Sequence, residues 1–275
     1  MTFSLVARSA DGRSWGVAVA SKFLAVGSAV PAAVAEVGAI ATQADANVAY
    51  KGLALAHLDE GATAQVALDR LLEEDPGRED RQVGIVDAAG GAASYTGSGC
   101  LPWAGGLSEP GLAIQGNVLA GSEVVEAMHA AWRASEEDAP LAHRLLAALR
   151  AGDDAGGDRR GRQSAALLVV SDGAGYAGLD DIAVDLRVDD HPDPCAELAR
   201  LLDLNDFYLT APREDERVVV TPELAEELQG LASGLGHPDV LAWVGTENYE
   251  MRVAPDLAWI DRRVLALLRS ATDSR

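Results

Sequence analysis

Hydrophobic and polar positions along this chain follow two periods, and the points where the period changes mark out its elements. Residues 3–8 and 14–20 are apolar, β-prone runs on either side of Asp11-Gly12, a pair suited to a tight turn, so they predict an opening hairpin. Residues 34–43 predict a further strand. The period then lengthens: Ala64, Ala67, Leu68, Leu71 and Leu72 recur at three- and four-residue intervals, which predicts an amphipathic helix ending at Asp75-Pro76-Gly77. An earlier helix is expected over residues 48–59. Short-period patterning resumes in "RQVGIVDAAGGAASYTG", two strands joined across Gly90-Gly91, and again in "GLAIQGN".

Two helices follow, over residues 122–134 and 140–150, the first with Ser122 as its cap. Beyond the loop "AGDDAGGDRRGR", the runs "QSAALLVV" and "DIAVDLRV" supply two more strands. Grouped strands bracketing grouped helices predict a layered α+β domain with antiparallel sheets, since alternating βαβ units would be needed for a parallel one. A boundary is expected at residues 204/205, after a helix that begins near Pro194. The remaining segment carries a helix capped at Thr221-Pro222, with Glu223 in its first turn, and a last apolar-periodic helix over residues 257–268. The expected domains are therefore 1–204 and a small, mainly helical 205–275.

Composition narrows the partners. The 275 residues are 48% hydrophobic, enough for a substantial core, and 43 acidic against 22 basic residues leave a formal charge of −21. Such a charge repels phosphate backbones, so nucleic acid is not an expected partner. No run approaches the ~20 apolar residues of a membrane span, and no basic segment precedes an apolar signal core, so the expectation is a cytoplasmic protein with no membrane partner. The two cysteines, Cys100 and Cys195, lack metal-type spacing, so no metal and no other cofactor is expected. The elbow of serine hydrolases, the Walker loop and the zinc-protease helix motif are absent, and "GSGCLPWAGG" falls short of a dinucleotide fingerprint.

What remains is Thr2. A threonine hydroxyl attacks a carbonyl only if a base takes its proton, and a free α-amine on the same residue is such a base, with an ordinary pKa of about 7.7–8.0. That chemistry requires Met1 to be removed. By itself a threonine opening a strand is equally an ordinary β residue.

Together, "TFSLVAR", "WGVAVASKFLAVGSAVP", "GAIATQADAN", "GCLPWAGG", "IQGNVLAG", "GGDRRGRQSAALLVV" and "LRVDDHPDP" resemble a bacterial family, domain of unknown function 1028, over residues 2–204. The resemblance implies a four-layer αββα sandwich of N-terminal-nucleophile (Ntn) hydrolase type. It implies hydrolysis of an amide bond in a small-molecule or peptide-like substrate, with Thr2 as nucleophile and base. From residue 205 onward the chain resembles a small domain described as peptidoglycan-binding; in a cytoplasmic protein that implies contact with soluble wall precursors or fragments only. Homo-oligomers are expected, because such sandwiches pair through their helix layers.

In this frame Lys22, at the end of "GVAVASK", is a candidate catalytic group whose ammonium would lower the amine's pKa, or else a solvated lysine at a hairpin end. The proteasome-like pattern is not followed in full, since Ala20 precedes Ser21 where that pattern has an acid. Asn117 is a candidate oxyanion donor, or a turn asparagine. Gln43 and Asn47 are candidate substrate-binding residues, or buried hydrogen-bonding groups. In the one basic loop of an acidic chain, Arg159 and Arg162 match carboxylates, and Asp158 and Ser164 are candidates to brace the nucleophile or bind substrate. The acids and His191 of "RVDDHPDP" read as a turn before a helix sooner than as metal ligands. Two other readings stay open: a non-catalytic ligand-binding or scaffold protein, and a cysteine hydrolase built on Cys100.

Overall fold

A computed structural model describes residues 2–273. Met1, on whose removal the threonine chemistry depends, lies outside the described residues. The chain divides into two units, Met1–Leu202 and Asp203–Arg275.

The first unit opens with β1 (Thr2–Arg8) and β2 (Ser14–Ser21), the expected hairpin, followed by a single turn α1 (Val26–Ala29). A short strand β3 (Pro31–Val34), which shares only Val34 with the strand expected over residues 34–43, comes first, and the expected strand begins later, as β4 (Gly38–Ala44). They pair antiparallel, Val34 opposite Gly38, because the chain reverses where Glu36 and Gly38 take positive φ values of 62° and 148°. Two helices follow, α2 (Tyr50–Asp59) and α3 (Ala64–Glu74), the latter capped by Thr63, whose side chain accepts from the Val66 N–H. Then come β5 (Arg81–Asp87), β6 (Ala92–Thr96), β7 (Gly105–Glu109) and β8 (Leu112–Asn117). Strand β7 was not legible in "GSGCLPWAGG", since paired glycines carry no alternating pattern. Helices α4 (Glu123–Ala134) and α5 (Leu141–Asp154) lead to β9 (Ser164–Ser171), β10 (Ile182–Val188) and the long α6 (Pro194–Leu209). Ser122 precedes α4 but adopts helical φ and ψ, so its side chain makes no cap hydrogen bond.

Two antiparallel sheets result, one of six strands in the order β10-β9-β2-β1-β8-β7 and one of four in the order β3-β4-β5-β6. Strand β1 is central in the larger sheet. Phe3 and Leu5 point to one face, where they meet Met128 and Trp132 of α4 and Leu145 and Leu149 of α5. Val6 points to the other face, where Val17, Val19, Ala39, Ala41 and Val86 fill the space between the sheets. The far side of the smaller sheet is covered by Tyr50 and Leu58 of α2 and Leu68 and Leu71 of α3, packed on Ile40 and Ile85. Because β1 and β2 are buried on both faces, their sequences read as continuous apolar runs without strict alternation.

The second unit holds β11 (Arg217–Val219), α7 (Pro222–Gly234), α8 (Val240–Thr246), β12 (Trp259–Asp261) and α9 (Arg262–Asp273). Thr221 caps α7 through the Leu224 N–H, as expected. The last helix starts five residues later than its apolar pattern suggests, since β12 pairs with β11 first and Asp261 then accepts from the N–H groups of Arg263 and Val264. Leu228, Trp243, Ile260, Val264 and Leu268 form this unit's own core. No helix of the described residues is long and apolar enough to cross a membrane.

Candidate functional site

Thr2 lies at the edge of the space between the two sheets, on the strand parity of Ser4 and Val6. Register fixes its neighbours: Asn117 of β8 pairs with Thr2, and Ser21 of β2 pairs with Ser164 of β9. Thr2 Oγ1 and Ser21 Oγ are 3.1 Å apart, a hydroxyl–hydroxyl hydrogen bond buried from solvent. The end of the larger sheet thus presents a row of four polar side chains, Asn117, Thr2, Ser21 and Ser164.

The smaller sheet answers with amides. Gln43, Gln82 and Thr96 are register partners across β4, β5 and β6. Gln43 Nε2 donates to the Thr2 carbonyl at 3.2 Å and to Gln82 Oε1 at 2.8 Å, and its Oε1 accepts from Ser4 Oγ at 2.7 Å. Asn117 Nδ2 donates to Gln82 Oε1 at 2.9 Å and to the Thr2 carbonyl at 3.5 Å. Gln115 Nε2 donates to Ser4 Oγ at 2.7 Å, while its Oε1 is buried without a hydrogen-bond partner among the described residues. Gly84 faces that oxygen: a Cβ there would stand 2.1 Å from it, so only glycine leaves the Gln115 amide its place. A glutamine inside each apolar strand, in "RQVGIVD" and "LAIQGN", is the sequence signal for Gln82 and Gln115, which hydrophobic patterning alone does not single out.

The basic loop closes the site's far side. Asp158, 5% exposed, accepts from the Lys22 N–H at 2.8 Å and from Arg160 Nη2 at 2.9 Å, and forms an isolated antiparallel bridge with Leu119, just past the end of β8. Lys22 therefore touches the loop through its main chain, and its ammonium reaches the Arg162 carbonyl at 3.3 Å. Arg162 is held by Asp153 at 2.9 Å, an ion pair that keeps its guanidinium protonated beyond the ordinary range. Arg159 is exposed and donates its N–H to the Val118 carbonyl at 3.0 Å. Ser164 Oγ donates to the Phe23 carbonyl and accepts from the Val26 N–H, fixing the turn after Lys22. Asn47 sits apart from Thr2. Its Nδ2 donates to Asp75 and its Oδ1 accepts from the Ala49 N–H at the start of α2.

Val118, next to Asn117, holds φ at 51°, a left-handed conformation unfavourable for a β-branched side chain. Backbone of this kind costs ~1–3 kcal/mol and concentrates where function over-determines geometry. Cys100 donates to the Arg81 carbonyl at 3.4 Å, and burial pushes its thiol pKa upward, the reverse of an activated nucleophile. In the "RVDDHPDP" turn, His191 Nδ1 accepts from the Asp193 N–H at 3.0 Å and Asp190 accepts from Gln163 Nε2 at 3.1 Å.

Comparison with known proteins decides the family. The model of the Family of unknown function (DUF1028) matches residues 2–198. The chain belongs to this family. A crystal structure of a DUF1028 protein from Silicibacter pomeroyi is similar at 32% identity and TM-score 0.67, covering 74% of this chain and 89% of that one. Anbu, the ancestral beta-subunit, from Yersinia bercovieri is 11% identical with TM-score 0.32, covering 77% of this chain and 98% of that one; at that level it carries neither fold nor function over. No curated protein sequence matches. The DUF1028 segment contains every polar residue assembled around Thr2.

Proposed function

We propose that this DUF1028 chain is an amidohydrolase whose helix, sheet, sheet and helix layers form a four-layer αββα sandwich of Ntn hydrolase type. The supporting observation is the hydrogen bond between Thr2 Oγ1 and Ser21 Oγ within a buried polar row at the end of the central strand. With Met1 removed, the Thr2 α-amine accepts the hydroxyl proton as Oγ1 attacks the carbonyl carbon of a small or peptide-like amide. The tetrahedral oxyanion is held by the Asn117 amide and a main-chain N–H. Collapse breaks the C–N bond, the ammonium returns the proton to the leaving amine, and water hydrolyses the remaining ester. Ser21 orients the hydroxyl. Asp158, Ser164 and Lys22 position the turn beside it, and Gln43 supports Thr2 through its carbonyl. Arg159 and Arg162 are the proposed partners of a substrate carboxylate, Arg162 while held by Asp153, and Asn47 acts on this site only through Asp75 and the start of α2. In this reading the second unit, Asp203–Arg275, is an accessory domain, the assembly is a homo-oligomer, and the setting is the cytoplasm.

A second reading, a non-catalytic binding or scaffold protein on the same fold, is favoured by one observation: both hydrogens of the Asn117 amide are already engaged, on Gln82 and on the Thr2 carbonyl. Intact mass combined with turnover separates the two. Protein whose mass lacks Met1 is expected to hydrolyse members of an N-acyl anilide series, with Thr2→Ser active and Thr2→Ala reduced by a factor on the order of 10³ or more. Retention of Met1 in most molecules, or equal turnover by Thr2→Ala, overturns the hydrolase.

A further inference from the structure

A cleft of about 570 Å³ opens between the lateral edges of the two sheets, well within the size range of ligand sites. The two strands line it differently. From β6 only Ser94 and Thr96 contribute, alternate residues that present one face of the strand, whereas β7 contributes four in succession, Gly105 to Ser108. Consecutive residues reach a cavity only along a strand's main-chain edge, and β7 is the terminal strand of its sheet, with no neighbour beyond it. Gly106 and Ser108, which share the sheet-facing parity of Gln115 and Ala113, are exposed. The free edge of β7 is therefore open to a ligand, with the Ser94 and Thr96 hydroxyls opposite.

The lining also limits what the ligand is. Among the described residues no charged side chain lines the cleft, so a carboxylate or ammonium would enter without a compensating partner. Nor does any aromatic ring of the described residues line it, which removes the stacking surface that a sugar ring would use. What it offers is main-chain N–H and C=O groups in strand spacing and small hydroxyls, beside the short uncharged side chains of Cys100, Pro102, Ala104 and Leu107.

Its location ties it to Thr2. Gln82 Nε2 donates to Thr96 Oγ1 at 2.9 Å and to the Gly105 carbonyl at 3.3 Å, both in the cleft wall, while Gln82 Oε1 accepts from Asn117. A strand added beyond β7 lies three strands from β1, a lateral distance of about 14 Å, which an extended chain covers in roughly four residues.

We infer that the cleft is a peptide subsite: an uncharged, extended peptide-like segment pairs with the free edge of β7 as a seventh strand, and forms the arm of the substrate whose amide Thr2 cleaves. The second clause rests on the hydrolase reading; the first stands without it.

The test uses the full chain and the capped neutral peptide Ac-Ala-Ser-Ala-Ala-NH2, with Ac-Ala-Asp-Ala-Asp-NH2, Ac-Ala-Lys-Ala-Lys-NH2 and sucrose as comparison ligands, binding being followed by amide chemical shifts. The neutral peptide is expected to perturb and protect β7 amides and to bind at least tenfold more tightly than either charged peptide, with sucrose giving no shift. Ser108→Trp, which fills the cleft from an exposed position, is expected to weaken that binding at least tenfold, and Ser108→Ala to retain it. Binding that is unchanged in Ser108→Trp, stronger for a charged peptide, or replaced by sucrose binding overturns the subsite. Turnover is read separately, on an anilide of the same neutral peptide against acetanilide. Peptide binding at β7 without cleavage of either anilide leaves the subsite standing and removes the hydrolase. Cleavage of both at equal kcat/KM, with no shift at β7, does the reverse.

Discussion

Gln82 of β5 and Asn117 of β8 meet across the gap between the sheets, the asparagine amide donating to the glutamine carbonyl oxygen at 2.9 Å. Gln82 is fully buried and also bonds Gln43, Thr96 and the Gly116 carbonyl, so it joins β8, the neighbour of the strand carrying the candidate nucleophile, to the smaller sheet. Replacing it by leucine leaves the donors on Gln43 and Asn117 facing an apolar side chain. Each buried group so stranded costs about 1–3 kcal/mol, so Gln82→Leu should lower unfolding free energy by roughly 2–4 kcal/mol, read from urea midpoints at unchanged m.

Ser21→Ala tests the hydroxyl pair of Thr2 and Ser21. Each neutral hydrogen bond lost should cost about 1 kcal/mol of stability. Anilide turnover should fall tenfold or more if Ser21 orients Thr2 Oγ1, and kcat rather than KM should carry that loss.

Asp75 accepts hydrogen bonds from Arg81 Nε at 2.9 Å, Tyr50 OH at 2.7 Å and the Gly77 N–H at 2.8 Å. Arg81, and next to it these other donors, hold its carboxyl well below the usual carboxylate range, while burial and the Asp75 charge push the Tyr50 phenol up. A depressed carboxyl stabilises the fold fully above its unfolded pKa of about 3.9, and that contribution is lost as pH falls through the lower native value. Asp75→Asn should therefore be about 2 kcal/mol less stable than the parent protein at pH 7 and at pH 5, with the difference narrowing at pH 3 and below. Urea titrations at the three pH values check the pattern.

How much of this was legible in the chain varies by residue. Helix α3 was readable because Ala64, Ala67, Leu68 and Leu71 share one buried face at helical spacing. The turn between β3 and β4 is not legible because it rests on backbone angles at Glu36 and Gly38, and a lone Glu36 inside an otherwise apolar run is a weak turn signal. Thr2 and Asn117 were singled out, and register then set them opposite each other. The amide cluster was not readable as a unit: Gln43, Gln82 and Gln115 are far apart in sequence, and only sheet stacking brings them together.

Gly97, in the loop between β6 and β7, packs so closely that a Cβ would lie 2.2 Å from the Glu79 carbonyl oxygen and 2.7 Å from that of Arg78. Main-chain atoms yield less easily than side chains, so Gly97→Ala should destabilise the protein by about 1–3 kcal/mol and increase amide exchange through residues 97–104. Hydrogen exchange resolves both effects.

In the second unit, Arg252 is buried with Nε donating to the Phe207 carbonyl at 2.6 Å and Nη1 to Asp261 at 3.3 Å. Removing one partner of a buried ion pair costs about 3–5 kcal/mol, so Arg252→Leu should sharply accelerate amide exchange in α9. Exchange in β1 and β2 should stay unchanged, since those strands belong to the other unit.

The alternation of β1 has a consequence for how the protein is made. Thr2, Ser4 and Val6 turn to one side and Phe3, Leu5 and Ala7 to the other, so a pairing error of a single residue would send Phe3 into the amides and Thr2 under the helices. Misfolded copies of this kind would be chemically silent, and the amides that Phe3 would strand make them unstable as well. The same contacts that would position a reaction therefore also proofread the assembly of the strand that carries it.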